Sequence, residues 1–155
     1  MKMTSKEKIF LTKELSRRLF CGTLIEVNSY GTCNYSRITK DGEVYISTLR
    51  LGLSDNKPTC LWVDICRYGV RPYLRPLSDI REDEEKEIEK FGFSIFRKIG
   101  IFDNSINKNN NDITYIDNES IKEIIEYLDN HHFDYNGLIK RKLALKAEKE
   151  MYEKI

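Results

Sequence analysis

The chain has 155 residues, of which 33% are charged and 40% hydrophobic, and its formal net charge at pH 7 is +1. This length and composition are typical of one globular domain with a core of its own. No apolar run approaches the roughly 18 residues of a membrane span, and charged residues interrupt the N-terminus where a signal peptide would be apolar. We therefore expect a single domain over residues 1–155 that stays in the cytoplasm and has no membrane partner.

Charge is distributed unevenly along the chain. Residues 1–78 carry 13 lysines and arginines against 7 acidic residues, whereas residues 79–155 carry 13 against 18. Either the two halves attract each other and pack together, or the basic half presents a face that binds an anion. Because the basic residues are scattered along the sequence rather than clustered, the first interpretation is favoured.

All four cysteines lie in the first 66 residues: Cys21, Cys33, Cys60 and Cys66. Their spacing does not match the pairs, roughly two to four residues apart, that zinc sites use. In a reducing compartment such residues are expected as free thiols. The sequence therefore predicts neither a metal nor a cofactor.

The first predicted element is a helix. Thr4 and Glu7 have the spacing of a capping box at its start, and three leucines then recur every fourth residue on one face. The helix should end at Cys21-Gly22. The three leucines are Leu11, Leu15 and Leu19.

Residues 22–77 are predicted to be rich in strands. Short alternating runs lie on either side of Asp41-Gly42, a dipeptide that predicts a hairpin with a type I′ turn. A further strand is predicted over residues 60–66, with Val63 on its apolar face and Trp62 and Asp64 on the other. Pro72 and Pro76 are expected to end the strand pattern.

Residues 78–91 and 118–147 are predicted to be helical, and residues 93–116 to form a second hairpin. Ser78 or Asp79 should cap the first helical segment. In the second segment, isoleucines and a leucine at helical spacing predict a helix, and a turn at residues 131–132 should lead into a short fourth helix.

That fourth helix is expected to begin at Asp134. Its apolar stripe should pack over two residues of the preceding helix, because a helix this short does not persist alone. The stripe consists of Phe133, Tyr135, Leu138 and Ile139, and the two residues beneath it are Ile124 and Leu128.

Short strands bracketed by helices, without regular β-α alternation, predict an α+β fold. We expect an N-terminal helix and a small bent antiparallel sheet, of which an SH3-like half-barrel is one form. The C-terminal helices should cover the sheet.

Two segments resemble a known family. Residues 70–78 read Val-Arg-Pro-Tyr-Leu-Arg-Pro-Leu-Ser, and residues 131–135 read His-His-Phe-Asp-Tyr, followed by Gly-Leu-Ile and Leu-Ala-Leu. These segments are similar to those of small proteins encoded by phages and mobile elements of gut Bacteroidetes. The chain departs from that family at Lys142 and Glu148, where relatives tend to have Gly and Pro. The resemblance implies a phage or mobile-element protein, and it implies no activity.

Candidate ligand-binding residues lie in both segments. Arg71 and Arg75 continue a four-residue spacing that begins at Arg67, and Tyr73 lies between them. Guanidinium groups interleaved with aromatic rings can bind phosphates and stack on bases. Alternatively, these arginines pair with the acidic helix that follows, and such pairs need no ligand.

His131 and His132 are the second candidate group. Adjacent residues point in different directions and do not readily face one ion. A histidine near the C-terminus of a helix can also hydrogen-bond to its last carbonyl groups. A ligand-binding role and a structural role are thus both open, and the structural role is favoured.

No Gly-rich phosphate loop, His-Glu-x-x-His or Gly-x-Ser-x-Gly motif is present. We therefore expect a non-enzymatic binding or adaptor protein that contacts a host or phage protein through exposed aromatic residues such as Tyr30 and Tyr35. The alternative is a nucleic-acid or nucleotide-binding protein that uses the Arg/Tyr segment. A third hypothesis is an enzyme that uses His131 or His132 with Asp134 or Asp64.

Overall fold

The computed structural model describes residues 3–49, 57–90 and 118–152. Within these ranges, three helices and a mixed sheet confirm the predicted α+β class. The helices are α1 (Ser5–Arg17), α2 (Glu82–Glu89) and α3 (Asn118–Asn130). The strands are β1 (Ile25–Val27), β2 (Gly31–Ile38), β3 (Glu43–Thr48), β4 (Cys60–Asp64), β5 (Arg71–Pro76), β6 (Phe133–Asp134) and β7 (Leu145–Lys146). The hairpin predicted over residues 93–116 lies outside the described residues.

Helix α1 starts where its sequence predicts. Thr4 Oγ1 accepts a hydrogen bond from the Glu7 amide at 3.1 Å, and Glu7 Oε1 accepts one from the Thr4 amide at 3.0 Å. Leu11 and Leu15 are fully buried, as the spacing predicts. The helix ends at Arg17, and turns follow as far as residue 22. None of the helices in the described ranges is long and apolar enough to cross a membrane.

The sheet runs in the order β4-β3-β2-β1-β5-β6, and β7 also pairs with β5. The pairs among β1 to β5 are antiparallel, whereas β6 and β7 both run parallel to β5. The prediction of an antiparallel sheet is therefore wrong for the two C-terminal strands. Long connections separate these strands from β5 in sequence, which is what parallel pairing requires.

The predicted β2–β3 hairpin is present, but its turn is not type I′. Among the described residues at this turn only Gly42 has a positive φ, 83°. Thr39 C=O accepts from the Gly42 amide at 3.1 Å, and the Thr39 amide donates to Glu43 C=O at 2.9 Å. Gly42 is also approached closely by α1, since a Cβ added there would lie 2.6 Å from Lys8 Cε.

Pro72 does not end the strand pattern, since it lies within β5, whereas Pro76 is the last residue of that strand. The Tyr73 amide donates to Leu24 C=O at 2.9 Å, and the Arg75 amide donates to His132 C=O at 2.7 Å. Both of these amide donors belong to residues other than proline. Pro72 and Pro76 therefore remove neither hydrogen bond. Prolines can occupy strand positions whose amide is not needed for pairing.

Helix α2 is not capped by Ser78 or Asp79, because both residues lie in a 3-10 turn, Leu77–Asp79. The helix begins at Glu82, and Glu84 Oε1 accepts from the Arg81 amide at 3.1 Å. Four acidic residues fill its first turn, where the helix dipole favours negative charge. Ile88 is buried as predicted.

The predicted fourth helix is absent: β6, a turn and β7 take its place. Three residues of this segment, His132, Gly137 and Lys142, have positive φ values of 64°, 73° and 63°. The Asp134 carboxylate accepts hydrogen bonds from the Leu138 and Ile139 amides, both at 2.9 Å. It caps a turn rather than a helix, since residues with positive φ interrupt the helical path.

The described residues form two hydrophobic cores. In the first, α1 packs on the inner face of the sheet with Leu138 and Leu143. In the second, Phe133 and Tyr135 pack with Ile88 of α2 and with Ile124 and Leu128 of α3. The predicted contact of Phe133 and Tyr135 with α3 is therefore confirmed, whereas Leu138 joins the other core. The C-terminal helices pack around β6, and α1 covers the sheet.

Candidate functional site

The outer face of the sheet carries a row of three large side chains. Arg37 of β2 pairs in register with Tyr45 of β3, and Tyr45 pairs with Trp62 of β4. Side chains of a strand alternate between the two faces, so Val44 and Val63 point into the first core while Tyr45 and Trp62 point outward. We refer to Arg37, Tyr45 and Trp62 as the aromatic row.

The members of the aromatic row contact one another. The Tyr45 and Trp62 ring centroids are 5.3 Å apart with the rings tilted by 59°, a preferred arrangement for aromatic pairs. The Arg37 guanidinium lies 5.7 Å from the centre of the Tyr45 ring, on the other side of the row from Trp62. Trp62 nevertheless remains 42% exposed. The row is thus ordered by its own contacts and is accessible to a partner.

One flank of the row is polar, and one of its carboxylates forms a salt bridge with α1. Glu43 and Asp64 are opposite each other on β3 and β4, and Lys8 Nζ donates to Asp64 Oδ2 at 2.7 Å. Burial raises the pKa of Asp64, but the hydrogen bonds from Lys8 and from the Arg67 and Cys66 amides outweigh it and lower the pKa below its usual value. Asp64 therefore forms a salt bridge with Lys8 that links β4 to α1.

Two aromatic residues expected to be exposed are not. Tyr35 is buried, and its hydroxyl donates to Leu15 C=O at 2.6 Å. Tyr30 is half-buried and lies 6.1 Å from Tyr68, ring to ring. The sequence pattern did place Trp62 on the polar face of its strand. The sequence pattern did not show that Tyr45 is the neighbour of Trp62, because that depends on how β3 pairs with β4.

The Arg/Tyr segment does not form one site. Arg67 is exposed in the turn after β4, away from the β5 ladder. Arg71 Nη2 donates to Glu26 Oε2 at 2.9 Å, and the Tyr73 hydroxyl lies 3.5 Å from Glu26 Oε1. Arg71 is thus paired with β1 rather than with the acidic helix.

Arg75 is paired with the acidic helix, as the structural interpretation expected. Its two terminal nitrogens donate to the two oxygens of Glu84 at 2.8 and 2.7 Å. The guanidinium also lies 4.2 Å from the centre of the Phe133 ring. Burial raises the pKa of Glu84, but the Arg75 and Arg81 hydrogen bonds and charges outweigh it, so the pKa lies below its usual value. Arg75 thereby connects β5 to α2 and contacts the second core through Phe133.

The two histidines have separate internal partners. His131 Nδ1 lies 2.9 Å from Tyr127 C=O near the end of α3, and its ring stacks on the Tyr127 ring. His132 is buried, with Nδ1 3.1 Å from Thr23 Oγ1 and its ring 3.6 Å from the Tyr152 ring. Burial, together with the positive charges nearby, lowers the pKa of His132 from 6.5 to about 4. The His131 contact matches the structural role that a helix end offers a histidine, whereas His132 is held by contacts with Thr23 and Tyr152.

An ionic cluster ties α1 to α3. The Glu14 carboxylate accepts two hydrogen bonds from Arg17, at 2.8 and 2.7 Å. Asp129 accepts from Arg17 Nε and from the Tyr135 hydroxyl, each at 2.8 Å. Arg18 is fully buried, and its Nη2 donates to Phe133 C=O at 2.7 Å.

A cleft of about 520 Å³ lies beside this cluster. It is lined by Arg17, Cys21, Lys122, Ile125, Glu126, Asp129 and Asn130. Neither histidine and neither Asp64 nor Asp134 is among the lining residues, so the cleft does not assemble the groups of the enzyme hypothesis. Within the described ranges, no group of three or more His, Cys, Asp or Glu side chains is placed to hold a metal ion.

Comparison with protein-family models, with curated proteins and with solved structures finds no match to this chain.

Proposed function

We propose that this chain is a non-enzymatic binding protein that contacts a protein partner through the aromatic row. The observation that carries the proposal is the ordered, exposed alignment of Arg37, Tyr45 and Trp62 on three adjacent strands. Tryptophan, tyrosine and arginine are the residues most enriched at the energetic centres of protein interfaces. An exposed tryptophan that is already held by neighbours loses little conformational entropy on binding.

The position of the row on the sheet supports the same proposal. In the part of the chain that the structure describes, β4 is the last strand on its side of the sheet. Trp62 therefore borders a strand edge, whose backbone groups can pair with an extended segment of a partner. The resemblance to phage and mobile-element proteins makes a host or phage protein the expected partner, and the bacterial cytoplasm the expected location.

The alternative function, nucleic-acid or nucleotide binding through the Arg/Tyr segment, has less support. Arg71 and Arg75 already bind Glu26 and Glu84. A phosphate would have to displace these carboxylates, and the displaced Glu84 would remain buried without its partner, which is costly. That function stays a prediction, as does a ligand-binding role of Arg67, Tyr73, His131 or His132.

A differential capture experiment tests the proposal. Immobilised wild type, Trp62→Ala and Tyr45→Ala are exposed to lysate of a gut Bacteroidetes host and of phage-infected cells, and the bound proteins are identified by mass spectrometry. Phe20→Ala is the matched control, because Phe20 is an aromatic residue with 94% exposure that lies outside the row. We expect at least one protein to bind wild type and Phe20→Ala and to be lost from both row variants. If every captured protein binds all four forms equally, the row is not the binding surface.

A further inference from the structure

A second surface lies on the solvent side of α1. Lys6 and Lys13 are exposed, and Phe10 lies between them on the same helix face, since residues three and four positions apart are neighbours on a helix. The opposite side of α1 is buried against the sheet through Leu11 and Leu15. The lysines of this face are therefore directed away from the core.

The C-terminal turn adds three more cations to this face. Residues 140–142 are Lys-Arg-Lys, and all three are exposed. The Arg141 guanidinium lies 4.5 Å from the centre of the Phe10 ring, and Asn136 Nδ2 donates to Glu14 Oε1 of α1 at 2.5 Å. These contacts hold the turn beside α1. We refer to Lys6, Lys13, Lys140, Arg141 and Lys142 as the basic surface.

The basic surface has little internal neutralisation. No ion pair joins any of its five side chains to another residue in the described part of the chain. Glu7 borders this surface: its carboxylate accepts the hydrogen bond of the Thr4 cap, and the Thr4 hydrogen bonds together with the charge of Arg141 lower the Glu7 pKa. Arg71 and Arg75, by contrast, are each paired with a carboxylate. Residues far apart in sequence thus combine into a cluster of cations that the linear sequence does not reveal.

We infer that the basic surface binds the phosphate backbone of double-stranded DNA. Lys6 and Lys13 are seven residues apart on a helix, about 10 Å along its axis, which is about the axial distance between phosphates three positions apart on one DNA strand. Lysine is depleted in protein–protein interfaces, whereas lysines and arginines provide the sequence-independent part of DNA affinity. Because Arg141 covers the Phe10 ring of this surface, backbone contact is favoured over base stacking.

The basic surface and the aromatic row lie on opposite sides of the sheet. Helix α1 covers the inner face, and the row projects from the outer face, because Tyr45 and Trp62 alternate with the buried Val44 and Val63. DNA and a protein partner would therefore contact different sides of the molecule. The inference goes beyond the proposed function and does not depend on it.

The test measures fluorescence anisotropy of a labelled 25-base-pair duplex of arbitrary sequence at NaCl concentrations between 50 and 200 mM. Three to five phosphate contacts predict that the affinity falls by about 40- to 500-fold over this range. The triple variant Lys6→Gln, Lys13→Gln, Arg141→Gln should remove most of this salt dependence and weaken binding at 50 mM by at least about tenfold. The control variant Lys86→Gln, Lys90→Gln removes two exposed lysines that pair with acidic neighbours on or at the end of α2, and it should bind as wild type does.

Three results would overturn the inference. The first is no binding of the duplex at 50 mM NaCl, and the second is binding that the triple variant retains while its melting temperature equals that of wild type. The third is equal competition by phosphatidylserine vesicles or polyglutamate, which would identify a surface that binds membranes or polyanions in general. The vesicles are included because Ile9, which lies beside the lysines, is 58% exposed. Binding of DNA should leave the fluorescence of Trp62 unchanged. The outcome of the DNA experiment can therefore be distinguished from a failure of the proposed function of the aromatic row.

Discussion

The aromatic row and the Arg/Tyr and His-His segments contain the same types of side chain in opposite situations. In the two segments, Arg71, Arg75 and both histidines are held by neighbouring groups of the fold. In the row, the Trp62 ring packs against the Tyr45 ring and remains exposed. Residue type therefore does not distinguish a stabilising group from a binding group. The difference lies in whether the fold already satisfies the side chain.

The largest expected effect is on the second core. Phe133→Ala should lower the free energy of unfolding by about 3–5 kcal/mol, because the ring is fully buried and its loss leaves a cavity. Chemical denaturation monitored by circular dichroism measures the change. Phe20→Ala is the control and should leave stability within about 0.5 kcal/mol of wild type. A melting temperature of Phe133→Ala within a degree of wild type would contradict the structural role of the His-His-Phe-Asp-Tyr segment.

His132 should make stability depend on pH. Its pKa is about 4 in the folded protein and 6.5 for an ordinary histidine, so between these values the unfolded chain binds a proton that the folded chain does not. Stability is complete above about pH 6.5 and should fall by about 3 kcal/mol as the pH decreases to about 4.

Denaturation midpoints between pH 7 and pH 4 measure this effect. His132→Asn is the informative variant, because asparagine tolerates the positive φ of this position better than most residues. It should lose most of the pH dependence in this window. If the stability of His132→Asn depends on pH as steeply as that of wild type, the effect comes from other titratable groups.

Breaking the Arg75–Glu84 pair should have the next largest effect. Glu84→Gln keeps the side-chain volume but removes the charge from a buried carboxylate, and we expect a loss of about 2–3 kcal/mol. Glu82→Gln is a control on the same helix, since the Glu82 side chain is 86% exposed where it pairs with Lys86. That control should have no measurable effect. Equal losses for the two variants would show that the pair is not specifically stabilising.

The aromatic row should have the smallest effect on stability. Trp62→Ala removes one cross-strand ring contact from a partly exposed site, which is worth less than about 1 kcal/mol. Thermal unfolding checks this value alongside Phe133→Ala. A loss of 3 kcal/mol or more would mean that Trp62 belongs to the stabilising part of the molecule.

Local patterns predicted much of the fold. The capping box at Thr4, the buried Leu11 and Leu15 and the alternation around Val63 depend on neighbours within a few residues, so the sequence carries them directly. The β2–β3 hairpin was predicted for the same reason, although its turn type depends on backbone angles that Asp-Gly alone does not determine.

Long-range pairing explains what was missed. Residues 71–76 form a strand because β1, β6 and β7 provide its partners, despite two prolines. The segment after Asn130 pairs with β5 instead of continuing as a helix, since Arg75 and Phe133 meet across the sheet. Long-range contact also explains why Arg18 is fully buried, because it hydrogen-bonds to Glu14 of α1 and to the distant Phe133 of β6. The ion pair of Arg71 with Glu26 has the same origin, because the pairing of β1 with β5 brings these two residues together.

The most direct test uses the single tryptophan of the chain, Trp62. Its fluorescence reports on the aromatic row without a label, and acrylamide quenching measures its accessibility. We expect efficient quenching of the free protein, in line with the 42% exposure, and a several-fold lower quenching constant when a captured partner is bound. Unchanged quenching in the saturated complex would show that the partner binds elsewhere and would contradict the proposed function of the row.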